Sequence, residues 1–580
     1  MNIFKNSVKS ATLEARFSYF VLLLLFLFHF VSNIVIIARD TTPFIADASE
    51  FYIQSFYYWR GVVDFIKSGD FQMLGLIFKD KPLQAQLLSF ISIPFYSILG
   101  FSHDTAIIAG QLFFLVLLLS IFKIGRFLFN NTVGLLAAFI ISFYPSVFGF
   151  SRVYMLTLPI LAISALCVYL FIKTGVFKNR KYSVYFGLAC GLGGLLRPRF
   201  FIYILIPVVL YAGGYIVTLF RKRDDLKRLL TKQKFFNIFL SIFCSGFLLF
   251  PWYSLSSISE YFRYQDTWST MPNFSNIGPT LLYYIQVLFG LQLHWFFSFL
   301  FLSGLLVSFF NRGRKLSIFF LLAWFIFTLI LVSSFGLKDY SRLIVPLCVP
   351  LALISSSGVE SFARQKAGKF ILSALGFFVV AQYFFISYSQ MAGKIIYKSI
   401  PVINREHGRR YFYDISLSYG LLQANGYDWN IDKMMPLFKT RRNFDGKFRW
   451  SLVNNNLSYL TVSGIPHNID NLIKILYIDC RGSPIVTEIE QRAVTGNLPV
   501  SVVGLYSSDF EYRDLFTDYD FRNIVLGADY VIIFEGGDPG AGMLSEIKDM
   551  FDANISKFEE LKTIKTPWGE SLIYGAGARK

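Results

Sequence analysis

Acidic residues are concentrated in one short stretch that follows the first apolar run of the chain. Residues 1–390 carry 14 acidic residues, and six of them lie between positions 40 and 80. Aromatic residues recur at helical spacing over positions 50–67, which predicts an aromatic-rich helix at a membrane interface. Asp47 would precede this helix, near its positive N-terminal end, where a carboxylate can accept a proton from a hydroxyl group. Asp47 is therefore a candidate general base, and ordinary solvated loop acids are the alternative.

Basic residues at the ends of apolar runs form a second candidate set. Lys81, the second of two neighbouring lysines, suits a lipid phosphate at headgroup level, or it anchors the chain to the interface. Arg152 and Arg342 lie at ends of apolar runs on the side that the basic loops avoid, which favours a specific anionic partner. Arg197 and Arg199 flank a proline, and such guanidinium pairs bind phosphate with paired hydrogen bonds. Interface anchors at an ordinary helix break are the alternative for these two.

The elements that must position these groups are membrane helices. Hydrophobic residues make up 54% of the 580 residues, the chain has 66 Phe, and its mean hydropathy is +0.51. Residues 1–390 hold 33 basic and 14 acidic residues, whereas residues 391–580 hold 22 and 23. Basic loops on the cytoplasmic side of a membrane explain that excess without nucleic acid as a partner. The composition thus predicts a polytopic α-helical membrane protein.

The apolar runs and basic clusters together predict the topology. Satisfying each basic cluster requires that residues 183–219 form two helices broken at Arg197-Pro198-Arg199, and that 84–100 does not fully cross. The prediction is then about 11 transmembrane helices, or 13 if 84–100 crosses, with a cytoplasmic N-terminus. Segment 38–82 becomes the first outer loop, with interfacial helices. The apolar runs lie near 17–37, 84–100, 105–122, 132–150, 154–172, 183–219, 235–250, 294–310, 316–333, 342–358 and 370–389.

The last 190 residues differ in character from the rest. Short β-rich runs at 474–479, 501–506, 528–534 and 571–575 alternate with polar, helix-like stretches such as 542–562. Thr566-Pro567-Trp568-Gly569 has the composition of a hairpin turn. We therefore predict two domains, a transmembrane domain of residues 1–390 and an extracytoplasmic α/β domain of residues 391–580.

An ordered series of short motifs in residues 15–390 resembles the GT-C class of integral-membrane glycosyltransferases. More narrowly, it resembles the branch of aminoarabinose transferases and protein O-mannosyltransferases, whose donors are polyprenyl-phosphate sugars. The motifs are Asp47 near Tyr52, Lys81-Pro82-Leu83, Tyr144-Pro145 before Ser151-Arg152, Gly187 and Gly191 before Leu196-Arg197-Pro198, Phe250-Pro251-Trp252-Tyr253, and Arg342 before Pro346 and Pro350.

The resemblance implies an enzyme that moves a sugar from a polyprenyl-phosphate donor to an acceptor hydroxyl, with inversion at the anomeric carbon. Asp47 matches the catalytic base, and Lys81 matches a position that meets the donor phosphate. Arg152, Arg197 and Arg342 would offset charge on the leaving phosphate.

Relatives often place a second acid four or five residues after the position of Arg152. This chain has Leu156 and Thr157 there. Glu50 is the remaining candidate for a second catalytic carboxylate. No metal site is therefore assigned, and no cofactor is predicted. A divalent metal would need a second acid to bind it, and this chain lacks one at the expected position.

The five cysteines imply no disulfide framework, which together with the single long chain fits a multi-pass protein of the plasma (inner) membrane. The acceptor is a protein, a glycolipid or a polysaccharide. A transporter or flippase of lipid-linked sugar is the alternative function, and a non-catalytic scaffold is a third. Transporters place ionisable residues near the midplane of repeated spans, whereas the acids here crowd one loop.

Overall fold

The structure is a computed structural model of the 580-residue chain. It describes residues 2–40, 47–74, 77, 86–221, 231–253, 277–335, 341–363, 368–388, 434, 436 and 492, and the strands at 473–479, 500–506, 530–535, 558–566 and 569–576. The chain divides into two compact units. The first contains Met1–Asp40 and Lys81–Ala424, and the second contains Thr41–Asp80 and Asn425–Lys580. The predicted boundary at residue 390 stays a prediction.

Helices dominate the described part of the chain. The helices in chain order are α1 Asn2–Ile37, α2 Asp47–Ser68, α3 Gln86–Leu99, α4 His103–Leu128, α5 Asn131–Ser142, α6 Pro145–Phe150, α7 Thr157–Thr174, α8 Arg180–Leu196, α9 Phe200–Arg221, α10 Lys232–Tyr253, α11 Ile277–Val287, α12 His294–Phe310, α13 Lys315–Ser333, α14 Cys348–Ala363 and α15 Gly368–Tyr388. A π-helical turn, Leu288–Gln292, follows α11, and a 3₁₀ segment, Ser341–Leu347, precedes α14.

The predicted membrane class is confirmed by these helices. Among the described residues, seven helices are long and apolar enough to cross a membrane, and a bent pair formed by Ile277–Gln292 and His294–Phe310 makes an eighth candidate. Three further apolar helices are shorter, namely Gln86–Leu99, Asn131–Ser142 and Leu372–Tyr388. These are eleven apolar segments among the described residues, and each overlaps one of the apolar runs from which about 11 to 13 crossings were predicted.

Burial shows which helices form the centre of the first unit. The apolar window of α7 is 83% buried, and that of Arg342–Ala363, which includes α14, is 94% buried. The windows of α9 and α10 are only 22% and 17% buried. The apolar side chains exposed on α9 and α10 would cost free energy in water, so these two helices are suited to face lipid.

The break predicted in residues 183–219 is confirmed. Helix α8 ends at Leu196 and α9 begins at Phe200, with Pro198 between them. Proline removes a backbone donor and disfavours helical geometry in the preceding residue, and Arg197 is accordingly extended, with φ −166° and ψ 139°. The turn is tight because Gly193 has no side chain. A Cβ there would lie 2.5 Å from Cδ1 of Phe200.

Helix α3 fits the prediction that residues 84–100 do not fully cross. Its 14 residues correspond to a length of about 21 Å at 1.5 Å per residue, against about 30 Å for the hydrocarbon core. Its aromatic side chain Phe90 contacts Trp252 of α10, with ring centroids 5.8 Å apart.

Glycines allow α8 and α10 to pack closely. A Cβ at Gly187 would lie 2.7 Å from Cα of Ser241, and one at Gly191 would lie 2.9 Å from Cδ1 of Leu248. Ser241 Oγ also donates to the carbonyl oxygen of Ser183 at 2.7 Å. Small residues at such a spacing are the usual means by which membrane helices approach each other. The Gly187-x3-Gly191 motif is therefore a helix-packing motif that holds the end of α8 against α10.

A buried ion pair connects three parts of the first unit. Arg314 Nη2, just before α13, lies 2.5 Å from Oε2 of Glu360 on α14, and the two side chains are 11% and 7% exposed. Asn130, which caps the N-terminus of α5, donates to the other carboxylate oxygen of Glu360 at 3.2 Å. Arg314 also donates to the carbonyl oxygen of Ser357 at 2.9 Å. This network satisfies a charge pair that would otherwise be costly to bury.

A five-stranded mixed sheet lies in the second unit. The strands are β1 Ile473–Asp479, β2 Val500–Tyr506, β3 Tyr530–Glu535, β4 Phe558–Thr566 and β5 Gly569–Ala576, in the order β2-β1-β3-β5-β4. Strands β2 and β3 run parallel to β1, and β5 is antiparallel to both β3 and β4. The four predicted strands are confirmed.

The hairpin turn is also confirmed, because Thr566 pairs with Gly569 across Pro567 and Trp568. Strand β4 was not predicted, and the helix-like interpretation of 542–562 is wrong over its last five residues. The polar sequence of β4 lacks a strong strand signal, and pairing with β5 along the hairpin decides its conformation.

We expect Gly187→Ala to destabilise the protein by about 1–3 kcal/mol, because the new methyl group meets the backbone of Ser241 and pushes α8 from α10. The measurement is thermal unfolding of purified protein in detergent. Gly246→Ala on α10 is the matched control, since nothing lies within 4 Å of its added Cβ and alanine favours helix. Equal unfolding temperatures for the two variants would contradict the close packing.

We expect Glu360→Gln to cost about 3–5 kcal/mol, because it removes the counter-charge of a guanidinium group that stays buried. The Arg60–Asp64 pair of α2 provides the control, since its side chains are 42% and 36% exposed. Asp64→Asn should change stability by less than about 1 kcal/mol. Chemical denaturation of both variants in the same detergent compares the two, and a similar loss in both would argue against the buried network.

Candidate functional site

Three arginines lie within electrostatic range of one buried tyrosine near the end of α8. Tyr203 is 5% exposed, and it interacts electrostatically with the guanidinium groups of Arg197, Arg199 and Arg342. Arg342 is itself 8% exposed. The fold thus brings together Arg197 and Arg342, which are 145 residues apart in the chain. Tyr203 was not predicted, because only the folded chain brings it within electrostatic range of these arginines.

The break between α8 and α9 positions two of these arginines. The Arg197 N–H donates to the carbonyl oxygen of Gly193 at 3.3 Å and ends α8, while its own carbonyl accepts from Phe200 N at 3.0 Å and starts α9. Tyr203 lies one turn into α9. Tyr253, at the end of α10, donates to the carbonyl oxygen of Gly194 at 3.0 Å and fixes the last turn of α8. The arginine-bearing turn is therefore held from both sides.

Arg342 lies on a different element from Arg197 and Arg199. It lies in the 3₁₀ segment, which packs against α7, α13 and the π-helical turn. That π-helical turn ends at a sharp bend of 108° before α12. His294, the first residue after the bend, has φ +68°, a left-handed conformation that is uncommon outside glycine. Its Nδ1 lies 2.9 Å from Nε2 of Gln382 on α15.

A group of guanidinium ions around one buried position is suited to an anion with several oxygens. Arginine keeps its charge when it is buried, and its planar fork can give two parallel hydrogen bonds to a phosphate. Non-helical backbone at a helix break adds polar groups to the same region. The cluster of Arg197, Arg199 and Arg342 is therefore a candidate phosphate site.

Arg152 is held by a different set of contacts. It is 4% exposed, and its Nε donates to Oδ1 of Asn33 at 2.9 Å. Its Nη2 donates to the hydroxyl of Tyr383 at 2.8 Å and to Oγ of Ser387 at 3.1 Å. The guanidinium group also lies over the rings of Phe148 and Tyr383, at 4.9 and 5.3 Å from their centroids. The predicted contact of Arg152 with a donor phosphate stays a prediction.

The contacts of Arg152 extend into a buried polar network. Asn33 of α1 donates to Oε1 of Gln111 at 3.0 Å and to Oγ of Ser151 at 2.8 Å. Gln111 of α4 donates in turn to the carbonyl oxygen of Ser151. Sequence reasoning missed Asn33, Gln111 and Tyr383. Their signal is that each is a polar group inside an apolar run, where an unpaired group would be costly.

The predicted catalytic acids fall in the second unit. Helix α2 begins at Asp47, so Asp47 and Glu50 occupy its first turn, whereas Asp47 was expected just before the helix. The side chains of both acids, and Lys81 as a whole, lie outside the described residues. Within the described ranges, no three His, Cys, Asp or Glu residues are placed to hold a metal ion. The predictions for Asp47, Glu50, Lys81 and a metal therefore stay predictions.

Comparison with protein families matches one segment of the first unit. Residues 80–245 match the family model described as dolichyl-phosphate-mannose-protein mannosyltransferase. The matched segment runs from the residue before Lys81 through Arg152, Arg197 and Arg199 into α10. No curated protein sequence matches the chain significantly.

Solved structures match nearly the whole chain at low sequence identity. ArnT from Cupriavidus metallidurans in the apo state has a TM-score of 0.52 and 12% identity, with 98% of this chain and 100% of that chain covered. The same protein bound to undecaprenyl phosphate gives 0.51 and 13%, with 96% and 99% covered. The archaeal oligosaccharyltransferase AglB from Archaeoglobus fulgidus, in complex with an inhibitory peptide and a dolichol-phosphate, gives 0.50 and 12%, with 97% and 74% covered.

Low identity over nearly full coverage means that the order and packing of the helices are shared although most side chains differ. Both solved proteins are GT-C glycosyltransferases. The resemblance predicted from the motif series is therefore confirmed at the level of the fold: the chain is a multi-pass membrane protein with the fold of the GT-C class of glycosyltransferases.

Proposed function

We propose that this protein transfers a sugar from a polyprenyl-phosphate donor to an acceptor hydroxyl group at the outer face of the plasma membrane, with inversion at the anomeric carbon. The observation that carries the proposal is that Arg197, Arg199 and Arg342, from two different elements, all act electrostatically on Tyr203 within a GT-C fold. A lipid donor also accounts for a reaction site built from membrane helices.

The chemistry of the arginine cluster supports a donor of this class. The leaving group of the reaction is a phosphate whose negative charge grows as the bond to the anomeric carbon breaks. Fixed guanidinium groups in a partly dry site stabilise such charge by several kcal/mol. The matched ArnT structure contains undecaprenyl phosphate and the matched AglB structure contains a dolichol-phosphate, so both folds bind lipid phosphates.

Asp47 acts as the base in this proposal. The acceptor oxygen attacks the anomeric carbon from the face opposite the phosphate, the carbon–oxygen bond to the phosphate breaks, and Asp47 takes the hydroxyl proton. One displacement inverts the configuration. Lys81, Arg197 and Arg342 offset the charge of the departing lipid phosphate. Glu50, in the same first turn of α2 as Asp47, is the second candidate for a catalytic carboxylate.

Charge distribution supports the orientation in the proposal. The basic excess of residues 1–390 favours a cytoplasmic N-terminus, which places residues 38–82 and 391–580 outside. The acceptor is a protein, a glycolipid or a polysaccharide. A flippase of lipid-linked sugar is the second candidate, and the bent helix pair at His294 favours it, because broken helices line the binding sites of many transporters.

The first experiment on this proposal measures binding of undecaprenyl phosphate to purified protein. Arg197→Gln and Arg342→Gln should each weaken binding about tenfold or more, since a hydrogen bond to a charged group contributes about 1.5–3 kcal/mol. Arg180→Gln is the matched control, because Arg180 begins α8 at the end opposite Arg197. Equal affinities for all three variants would show that Arg197 and Arg342 do not bind the phosphate.

The second experiment measures transfer of labelled sugar from a membrane pool of polyprenyl-phosphate sugars. Asp47→Asn should lower the rate by about 10²–10⁴-fold at equal expression, because it removes the group that accepts the proton. Asp70→Asn, the same charge change in the same unit, should leave the rate within about twofold. Transfer by Asp47→Asn at the wild-type rate would move the base to Glu50. Binding of the lipid phosphate without any transfer by the wild type would favour the flippase.

A further inference from the structure

We propose that Arg152 is a positioning residue that fastens the ends of α1 and α15 to the start of α7. This inference rests on the proposed function, because it assigns Arg152 a part in the transfer reaction other than contact with the donor phosphate. The hydrogen bonds of the guanidinium group carry it.

The guanidinium group joins three distant parts of the chain. Its Nε is bonded to Asn33 of α1, and its Nη2 is bonded to Tyr383 and Ser387 of α15. The partners are separated from Arg152 by 119, 231 and 235 residues. Tyr383 also donates to Oγ of Ser32 at 2.7 Å, so α1 and α15 are bonded directly as well. The group is 4% exposed, which makes loss of any of these bonds costly.

One of the two fastened helices, α1, lies just before the point at which the chain leaves the first unit. Asn33 lies one turn before the end of α1 at Ile37, and the second unit starts at Thr41. Ser387 lies one residue before the end of α15, and the first unit continues beyond this helix to Ala424. Arg152 therefore fixes the end of α1, which precedes the segment Thr41–Asp80 that contains Asp47.

The loop that carries Arg152 also leads to the arginine cluster. Ser151 is held by Asn33 and Gln111, and α7 begins five residues after Arg152. Helix α7 packs against the 3₁₀ segment that contains Arg342. The side chain of Arg152 therefore also bears on the position at which α7 starts.

An arginine is required for this arrangement. Its rigid fork directs Nε and Nη2 at two different helices, and its flat face lies against two aromatic rings. A lysine would keep the charge, but its single ammonium group cannot reproduce two donors fixed about one plane. Arg152→Lys and Tyr383→Phe therefore each remove the hydrogen bond between Arg152 and Tyr383, one from the donor and one from the acceptor.

The test combines kinetics with thermal unfolding of the full-length protein in detergent. For both single variants we expect kcat of sugar transfer to fall by about tenfold or more, since misplacement of reacting groups lowers the rate of the chemical step. KM for the polyprenyl-phosphate sugar and affinity for undecaprenyl phosphate should stay within about twofold. The double variant should lose no more than the worse single variant, because the two changes break one connection. Phe377→Leu is the control, because the side chain of Phe377 on α15 is 78% exposed.

The other outcomes are distinct. A raised KM in Arg152→Lys with a normal Tyr383→Phe enzyme would make Arg152 a phosphate ligand and overturn the inference. Lower unfolding temperatures with unchanged kcat would reduce the network to a stabilising one and overturn it as well. Additive losses would show that the two groups act separately, against the inference. A wild-type protein that transfers no sugar would instead overturn the proposed function, and the role of Arg152 in it.

Discussion

The arrangement of the candidate site depends on one interruption of a membrane helix. Residues 183–219 are apolar enough to continue as one long helix, and Pro198 prevents this by removing a donor and excluding helical geometry from Arg197. The three residues between α8 and α9 then bring two arginines and, one turn later, Tyr203 to a common point. Glycines at 187, 191 and 194 hold the broken end against α10. A break in lipid without such support would expose unsatisfied backbone groups.

Buried cations are stabilised in two different ways in this protein. Arg314 is paired with Glu360, and Arg152 is surrounded by hydroxyl, amide and aromatic groups. Both arrangements lower the cost of removing a charge from water by supplying fixed dipoles or a counter-charge. The three arginines near Tyr203 are a separate group, which acts on that tyrosine electrostatically.

Helix α15 connects features that the chain order keeps apart. Over residues 382–388 it contacts the bend at His294, the guanidinium group of Arg152 and the end of α1. The conformation of His294 costs free energy by itself, and its contact with Gln382 is part of what maintains the bend. Helix α15, the last described helix of the first unit, is thus both an apolar segment and the element that connects α1, the bend and the loop before α7.

The sequence by itself determined the membrane class, the break at Pro198, four of the five strands and the hairpin turn at Pro567-Trp568. Each of these follows from local rules, since apolar run length, proline geometry and β-rich composition act within a few residues. It also placed Arg197 and Arg342 in one candidate set through their chemistry. Only the tertiary structure decided that these two both act electrostatically on Tyr203 and that Arg152 bonds to Asn33, Tyr383 and Ser387. It likewise decided strand β4, whose polar residues pair with β5. Contacts between residues more than a hundred positions apart depend on how whole helices pack, and no local pattern of residue types records that packing.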